Sequence, residues 1–372
     1  MRCFHEKNNK KISTLLMSAV LFLAVCTGCT NNTEPKTEPD TQSTPQTETT
    51  TEPVTQWTWQ KDTPENQGID PAVLEDVHGT FDTFPLLASV IVRNGRIVDE
   101  YYKDGYDSAT SFLLHSASKS VTSALVGIAI DKGFMESVDT PIVNYFPQLQ
   151  EKDDPRWQQI TIRHLLTHTP GIDCGDTEFE DTWRASDNWI DFVLNRPITS
   201  DPGTVFNYST SNTHMLCAII QKATGMTAYE FGKEYLFDPM GMDSVTCATD
   251  AQGISDGGNG ISMNIYDMAK FGQLYLNGGE WNGQQLVPRE WVEASTTLQF
   301  DRSSGSADYG YQWWVRTFGD AGYAAYFAQG HAGQYIFVVP ELELIIAFTG
   351  DYTGRTSIYW RLANQIVNAC SN

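Results

Sequence analysis

The chain has 372 residues, with 46 acidic against 24 basic side chains and a formal net charge of −22 at neutral pH. Nucleic acids and anionic lipid surfaces need a basic binding face, so this excess of acid argues against both as partners. The length exceeds that of a typical single hydrophobic core and predicts a sheet domain that carries a second lobe.

The N-terminus, residues 1–28, predicts a signal peptide. Basic residues precede the apolar run "ISTLLMSAVLFLAV", which is too short to span a bilayer comfortably. The run ends in "CTGC", where Cys29 resembles the acylated cysteine of a bacterial lipobox, although Cys26 departs from the usual branched residue. The alternative is an ordinary secretory signal that is cut nearby. Both interpretations place the mature chain outside the cytoplasm. The lipobox interpretation adds a lipid anchor on the outer surface of the bacterial membrane.

Residues 29–56 are Thr, Pro, Glu and Gln with almost no apolar side chain. Such a segment cannot bury enough surface to offset the entropy of ordering, so we expect a disordered linker. Residues 57–372 are rich in Trp, Tyr and Gly and contain frequent turns, as expected of a globular domain.

The elements of this domain favour an α+β fold. Two β-rich runs at 86–102 meet at Asn-Gly, a strong hairpin signal, and an apolar helix follows Ser116 and ends near Gly133. Helical pieces and Gly/Pro loops fill about 140–300, and strand-like runs and an amphipathic helix close the chain. We therefore expect an antiparallel sheet built from N- and C-terminal strands in a three-layer α/β/α arrangement, with an inserted, mostly helical lobe.

Four cysteines lie in this domain: Cys174, Cys217, Cys247 and Cys370. Their wide spacing is typical of neither a disulfide framework nor a zinc site. Cys217 falls in the helical "HMLCAIIQKATG" and is expected in the core. The sequence leaves open whether Cys174 and Cys247 form a disulfide.

Ser116 and Lys119 stand one helical turn apart in "SASK", at the head of the apolar helix. Ser116 is either a helix cap or a nucleophile at a helix start, where backbone N–H groups can stabilise an oxyanion. The apolar sequence after Lys119 favours partial burial and hence a neutral, basic amine. Such an amine could take the serine proton.

Two later stretches add candidates to this site. "PGTVFNYSTSN" places Tyr208 in a turn before a helix, either as a proton carrier or as a tyrosine packed at a loop edge. "GHAGQYIFVVP" places His331 before small residues and a strand, either in the site or as a strand-edge histidine. Ala332 and Gly333 would let substrate approach the backbone closely, and the Gln334 N–H could join that of Ser116 as an oxyanion donor.

The ordered set S-x-x-K, Y-x-x, H-x-G resembles the serine β-lactamase and penicillin-binding protein superfamily. It is most similar to the branch of class C β-lactamases, esterases and 6-aminohexanoate-dimer hydrolases, and the similarity covers about 75–370. "ITIRHLLTHTPGI", "GGNGISMNIYDMAKFGQLYLNGG" and "GQYIFVVPELELIIAFTG" support it. The resemblance implies that Ser116 is acylated, Lys119 is its base and Tyr208 relays protons. His331 takes the position of the lysine in K-T-G.

Two departures from the superfamily pattern bear on the substrate. Thr210 stands where Y-x-N has an asparagine that binds the acylamino arm, and His331 replaces a permanently charged lysine. Both favour an esterase or amidase acting on a small molecule or short peptide, with no metal or cofactor implied. The alternatives are a β-lactamase or D,D-peptidase and a non-catalytic surface binding protein. The sequence does not indicate the oligomeric state.

Two rival motifs are weaker. "GISDG" at 253–257 matches the nucleophile elbow of α/β-hydrolases and precedes His331, but no strand comes before it and no helix follows. His164 and His168 lie four residues apart like zinc ligands, without the expected glutamate or a third ligand. We interpret both histidines as structural.

Overall fold

A computed structural model of the chain describes residues 57–371, except 82, 175–176, 303–306 and 354–356. The predicted signal peptide, Cys29 and the linker lie outside the described residues and stay predictions. Within the described part, no helix is both long and apolar enough to cross a membrane.

The strands of the main sheet lie toward the two ends of the domain, and most of the helices lie between them in the chain. The strands are β1 (Gln60–Lys61), β2 (Leu86–Arg93), β3 (Arg96–Tyr102), β4 (Ser111–Leu113), β5 (Thr246–Cys247), β6 (Ile261–Asn264), β7 (Glu280–Trp281), β8 (Gln284–Gln285), β9 (Asp308–Tyr309), β10 (Trp314–Phe318), β11 (Tyr323–Gly330), β12 (Gln334–Val339) and β13 (Leu344–Gly350). The helices are α1 (Pro71–Phe81), α2 (Ser118–Asp131), α3 (Ile162–Leu166), α4 (Thr177–Arg184), α5 (Trp189–Leu194), α6 (Thr210–Thr224), α7 (Ala228–Gly232), α8 (Asp238–Met240), α9 (Ile265–Leu276), α10 (Arg289–Ser295) and α11 (Ser357–Ala369).

The main sheet joins the two ends of the domain, as the sequence predicted. Its strand order is β1-β3-β2-β13-β12-β11-β10-β9, so N-terminal β2 pairs with C-terminal β13. All neighbours are antiparallel except β1 and β3 at one edge, which run parallel and were not anticipated. The hairpin between β2 and β3 turns at Asn94 and Gly95, whose φ angles of 51° and 72° suit its tight turn.

Hydrophobic cores cover both faces of this sheet and give the predicted three layers. Along β13, Ile345 and Ala347 face a core shared with α2, α6 and α9, while Ile346 and Phe348 face a core shared with α1 and α11. Successive side chains of a strand point to opposite faces, which explains the alternation. Helices α2 and α9 cover one face of the sheet, and the other helices between β4 and β9 form the inserted lobe, where α6 packs against α2, α3 and α5.

Helix α2 lies in the middle of the larger core. Nearly its whole surface is buried, and it contacts α6, α7, α10 and β11. Gly133 follows it with φ of 75°, at the position predicted to end the helix. Because α2 is held on several sides, the residues at its N-terminus have a fixed position relative to the sheet.

None of the four cysteines of the domain forms a disulfide in the described structure. No disulfide therefore joins Cys174 and Cys247, the pairing that the sequence left open. Cys217 is fully buried in α6, as predicted.

The contact between α2 and α10 leads to a prediction about stability. A methyl group on Gly127 would overlap the five-membered ring of Trp291, whereas one on Gly79 in α1 would meet nothing within 4 Å. We expect Gly127→Ala to lower the free energy of unfolding by about 1–3 kcal/mol through overpacking. Gly79→Ala, the matched control, should raise it by about 0.5–1 kcal/mol because alanine favours the helix. Urea unfolding measures both, and a Gly127→Ala variant as stable as the parent would contradict this packing.

Candidate active site

Ser116 lies in a 3₁₀ turn, His115–Ala117, directly before α2. Neither this turn nor α2 has a side-chain cap, so the interpretation of Ser116 as a helix cap is wrong. Its hydroxyl instead lies 3.0 Å from the amine of Lys119. Ser116 is partly exposed.

The Lys119 amine is enclosed by oxygen atoms. The side chain is 1% exposed, and its Nζ lies 2.7 Å from the carbonyl oxygen of Gly258 and 3.4 Å from Oγ1 of Thr210. A neutral amine has two N–H donors and one lone pair. If the two hydrogens point to Gly258 and Thr210, the lone pair is left for the hydroxyl hydrogen of Ser116.

Burial also sets the charge of this amine. Loss of hydration lowers the pKa of Lys119 to about 7, and the Arg184 guanidinium adds to the shift. The carboxylates of Glu180 and Asp256 act in the opposite direction and raise it. Lys119 is therefore substantially neutral at physiological pH, as the apolar sequence after it predicted.

These three charged residues form a network that the sequence analysis missed. Arg184 donates to Glu180 Oε1 at 2.8 Å and to Asp256 Oδ2 at 3.1 Å. Its guanidinium carbon also lies 5.1 Å from the ring centroids of both Trp183 and Trp189. Helix α4 contributes Glu180 and Arg184, but Asp256 comes 72 positions after Arg184 in the chain. No local pattern signals such a distant partner.

Tyr208 also lies close to Lys119. Its ring centroid is 5.0 Å from Lys119 Nζ. Burial, together with the charge of Glu180, raises the pKa of the phenol to about 12, and the Ser116 hydroxyl partly opposes this rise. Tyr208 is therefore protonated at neutral pH and able to donate a proton.

His168 and His164 have structural partners, in line with their interpretation. His168 is fully buried behind Tyr208, with 4.5 Å between ring centroids, and its Nδ1 accepts from the Ser209 N–H and the Asn212 amide. Burial holds the pKa of His168 well below its ordinary value, so its ring is neutral. His164 Nδ1 accepts a backbone N–H at the start of its own helix.

His331 occupies a short turn between β11 and β12. It is exposed, and its ring centroid is 5.5 Å from that of His115. The sequence analysis did not identify His115 as a site residue. His115 has φ of 49° and Ala332 has φ of 61°, a left-handed conformation that is uncommon for residues with a Cβ. Two strained turns thus meet at the site, a feature that often marks functional regions.

Gly330 lets these two turns approach each other. A Cβ on this residue would overlap the carbonyl oxygen of Leu114 and would lie 3.2 Å from the backbone nitrogen of Ala117. The same point is 3.0 Å from Cβ of Gln334, the partner of Gly330 in the sheet. The segment around Ser116 therefore lies beside the start of β12, as two oxyanion donors would require. The sequence analysis did not identify Gly330, although a glycine directly before His331 could have indicated a close approach of the backbone.

The turn that carries His331 is anchored from behind. The Ala332 carbonyl accepts from the Tyr359 phenol at 3.3 Å and from the Tyr352 N–H at 3.0 Å. The Gln334 amide donates to the Gly350 carbonyl at 2.8 Å. Helix α11 and the end of β13 thus hold the backbone of the turn in place.

The expected substrate contacts are Thr210, Ala332 and Gly333. The Thr210 hydroxyl points to the Lys119 amine, and the Ala332 carbonyl points to Tyr359. Contacts of these three residues with a substrate stay predictions.

The rival nucleophile of the "GISDG" motif lies in a different setting. Ser255 is buried in the connection between β5 and β6, and its Oγ accepts the backbone N–H of Tyr229 at 3.1 Å. No strand leads into this serine and no helix follows it. Residues 248–260, all of them described, therefore do not form the strand–turn–helix that an α/β-hydrolase elbow requires around its serine.

Solved structures share the fold of this chain. A Bacillus anthracis protein assigned as a 6-aminohexanoate-dimer hydrolase matches with a TM-score of 0.69 at 23% identity, over 78% of this chain and 80% of its own. EstCE1, described as a hydrolase with promiscuous acyltransferase activity, matches with a TM-score of 0.66 at 15% identity, over 80% of this chain and 97% of its own.

Sequence comparisons define the class and the family. The 6-aminohexanoate-dimer hydrolase of Paenarthrobacter ureafaciens is 26% identical over 295 residues, which are 73% of this chain and 74% of that protein. Together with the fold, this similarity defines a serine hydrolase of amidase- or esterase-like type. The family model described as Beta-lactamase matches residues 79–363, and the chain belongs to that family.

The pKa of Lys119 leads to a prediction about pH. If its neutral amine is the base, kcat/KM for a neutral ester should rise about tenfold per pH unit below pH 7 and level off above it, since the lysine loses its charge as pH rises. Stopped-flow assays between pH 5 and 9 measure this dependence of kcat/KM on pH. Lys119→Arg should lower kcat/KM at least a hundredfold. The control variant, His331→Gln, should still show the rise of kcat/KM with pH below pH 7. A wild-type rate independent of pH would contradict the assignment.

The anchored turn leads to a second prediction. Tyr359→Phe removes the phenolic hydroxyl that donates to the Ala332 carbonyl. We expect kcat to fall roughly tenfold and KM to stay nearly unchanged. This decrease in kcat is smaller than the one caused by removing an oxyanion donor itself. Tyr326→Phe is the matched control, because Tyr326 is buried in the core on the opposite face of the sheet. Equal effects of the two variants on kcat would show that Tyr359 only stabilises the fold.

Proposed function

We propose that this chain hydrolyses a carboxylic ester or amide through an acyl-enzyme on Ser116. The observation that carries the proposal is the 3.0 Å contact between Ser116 Oγ and a buried amine whose pKa is lowered to about 7. A serine beside a neutral amine is the arrangement that nucleophilic catalysis needs.

In the proposed reaction, Lys119 takes the hydroxyl proton as Ser116 Oγ attacks the carbonyl carbon. The backbone N–H groups of Ser116 and Gln334 stabilise the resulting oxyanion. Tyr208, which is protonated at neutral pH, gives its proton to the leaving oxygen or nitrogen and regains one from Lys119. Water then attacks the acyl-enzyme with the same groups in reverse and frees the acid.

The substrate class follows from two residues. Thr210 uses its hydroxyl near the lysine and offers no amide to an acylamino arm. His331 is exposed at the site entrance and lacks the permanent charge of a lysine. These features favour simple esters and amides over β-lactams. Hydrolysis of β-lactams or cell-wall peptides is the second candidate, because the chain belongs to the Beta-lactamase family.

We also propose that the protein is exported and anchored by a lipid on Cys29. The support is the pattern of the first 28 residues and the linker that follows, which would hold the catalytic domain away from the membrane. A small-molecule or short peptide substrate outside the cytoplasm would fit this location.

A serine-reactive fluorophosphonate tests the proposed function. It should label the wild type at Ser116, and Ser116→Ala should abolish labelling and lower ester hydrolysis by at least a thousandfold. Ser255→Ala, which removes the rival serine, should retain both. Mass spectrometry of trapped adducts across esters, short amides, D-amino-acid peptides and β-lactams then identifies the acyl group.

The outcomes separate the candidates. A wild type that neither reacts with the probe nor hydrolyses any ester would overturn the enzyme proposal and favour a binding protein. Turnover of a chromogenic cephalosporin at rates that match ester hydrolysis would favour the β-lactamase candidate instead.

A further inference from the structure

A surface cavity of about 360 Å³ lies at the end of the main sheet that is farther from Ser116. Three tight turns border it, at Asn94 between β2 and β3, at Asn282 between β7 and β8, and at Glu343 between β12 and β13. Strand β12 begins at Gln334, beside the candidate active site, and its six residues extend roughly 20 Å toward this cavity. The cavity is therefore separate from the proposed site of hydrolysis.

Two buried side chains that border this cavity have hydrogen-bonding atoms without a partner. Gln273 of α9 is 7% exposed, and Trp281 of β7 is 3% exposed. In the described part of the chain, Gln273 Oε1 accepts no hydrogen bond and Trp281 Nε1 donates none. The nitrogen of the Gln273 amide is already used, because it donates to Asn277 Oδ1 at 2.8 Å. A buried polar atom without a partner is unfavourable, so a ligand that brings both a donor and an acceptor would satisfy this pair.

Trp57 provides an aromatic surface at the same place. It is partly exposed, and its ring centroid lies 4.5 Å from that of Trp281 and 4.4 Å from that of Trp59. Trp57 also borders an adjoining cavity of about 380 Å³, which Trp59 and Tyr266 line as well. Because the two cavities share Trp57, an elongated ligand can extend from one to the other across its ring.

The lining of the first cavity indicates the chemical class of the ligand. It combines tryptophan rings with one carboxylate, Glu343, and with the side-chain amides of Asn94, Gln273, Asn277 and Asn282. Amides both donate and accept hydrogen bonds, as sugar hydroxyls do. In a pyranose with equatorial hydroxyls the ring faces carry C–H groups, which pack on an aromatic ring. No lysine or arginine is among the described residues that border this cavity, so a neutral ligand fits it better than an anion.

We propose that this cavity binds a neutral saccharide built of pyranose rings. Trp57 packs against a ring face, and Gln273 and Trp281 form hydrogen bonds with hydroxyl or acetamido groups. This inference goes beyond the proposed function, because the saccharide would hold the domain at a carbohydrate surface and take no part in the hydrolysis at Ser116.

Two tetrasaccharides, chitotetraose and cellotetraose, test the proposal when they are titrated into the full chain by isothermal titration calorimetry. Both have the same linkage and equatorial substituents, and they differ in carrying an acetamido group or a hydroxyl at C2. Their comparison therefore identifies the group that the amides of the cavity recognise. We expect the wild type to bind at least one of them. Trp57→Ala should lower the association constant at least roughly tenfold, as the loss of a central aromatic contact does.

Trp360→Ala is the matched control. Trp360 is also a partly exposed tryptophan, but it belongs to α11 and packs on Phe327, with 5.7 Å between ring centroids. This variant should bind within about twofold of wild type, because it alters a site without shared contacts. Gln273→Met removes the oxygen without a partner and keeps the length of the side chain. It should lower the association constant roughly tenfold and leave the midpoint of thermal unfolding nearly unchanged.

The titrations decide the proposal without reference to hydrolysis. A wild type that binds neither tetrasaccharide would overturn it, and so would undiminished binding by Trp57→Ala. Equal weakening by Trp57→Ala and Trp360→Ala would overturn it as well, since tryptophan removal would then act through the fold. None of these results depends on the acylation of Ser116, so labelling by the fluorophosphonate tests the proposed function separately.

Discussion

The amino group of Lys119 lies in a buried pocket beside Ser116, and the rest of the site is arranged around this contact. Removal from water lowers the pKa of the amine to about 7, which makes a neutral base accessible at physiological pH. The Gly258 carbonyl and the Thr210 hydroxyl are placed to orient it. Each partner comes from a different part of the chain. The packing of α2 against its neighbours therefore determines both the charge of the lysine and its direction.

A second constraint acts on the backbone opposite the lysine. The turn at His331 and the turn at His115 contain left-handed residues and approach each other closely where Gly330 has no side chain. Unfavourable backbone conformations persist only where the surroundings hold them in place. Here the Tyr359 phenol of α11 and the Gly350 carbonyl of β13, which accepts from the side-chain amide of Gln334, supply that support. The sheet formed from both ends of the chain thus positions one half of the site, and the helical lobe positions the other.

Charged residues near Lys119 also influence the site. The network of Glu180, Arg184 and Asp256 surrounds the lysine with charges that partly cancel, so that burial remains the dominant influence on its pKa.

The sequence by itself determined the hairpin at Asn94, the apolar helix after Ser116, the joining of terminal strands into one sheet, and the candidate set of Ser116, Lys119 and Tyr208. These follow from local periodicity, turn residues and short motifs, which depend on neighbours in the chain. The edge strand β1, the anchoring of Ala332 by Tyr359, and the charged network around Lys119 were decided only by the tertiary structure. Their partners are tens to hundreds of residues apart, and no local pattern records which distant side chains share a pocket. The pKa of Lys119 combines both kinds of information: its apolar helix predicted the burial that lowers the pKa, and folding brought the charges of Glu180, Asp256 and Arg184 that modify this effect.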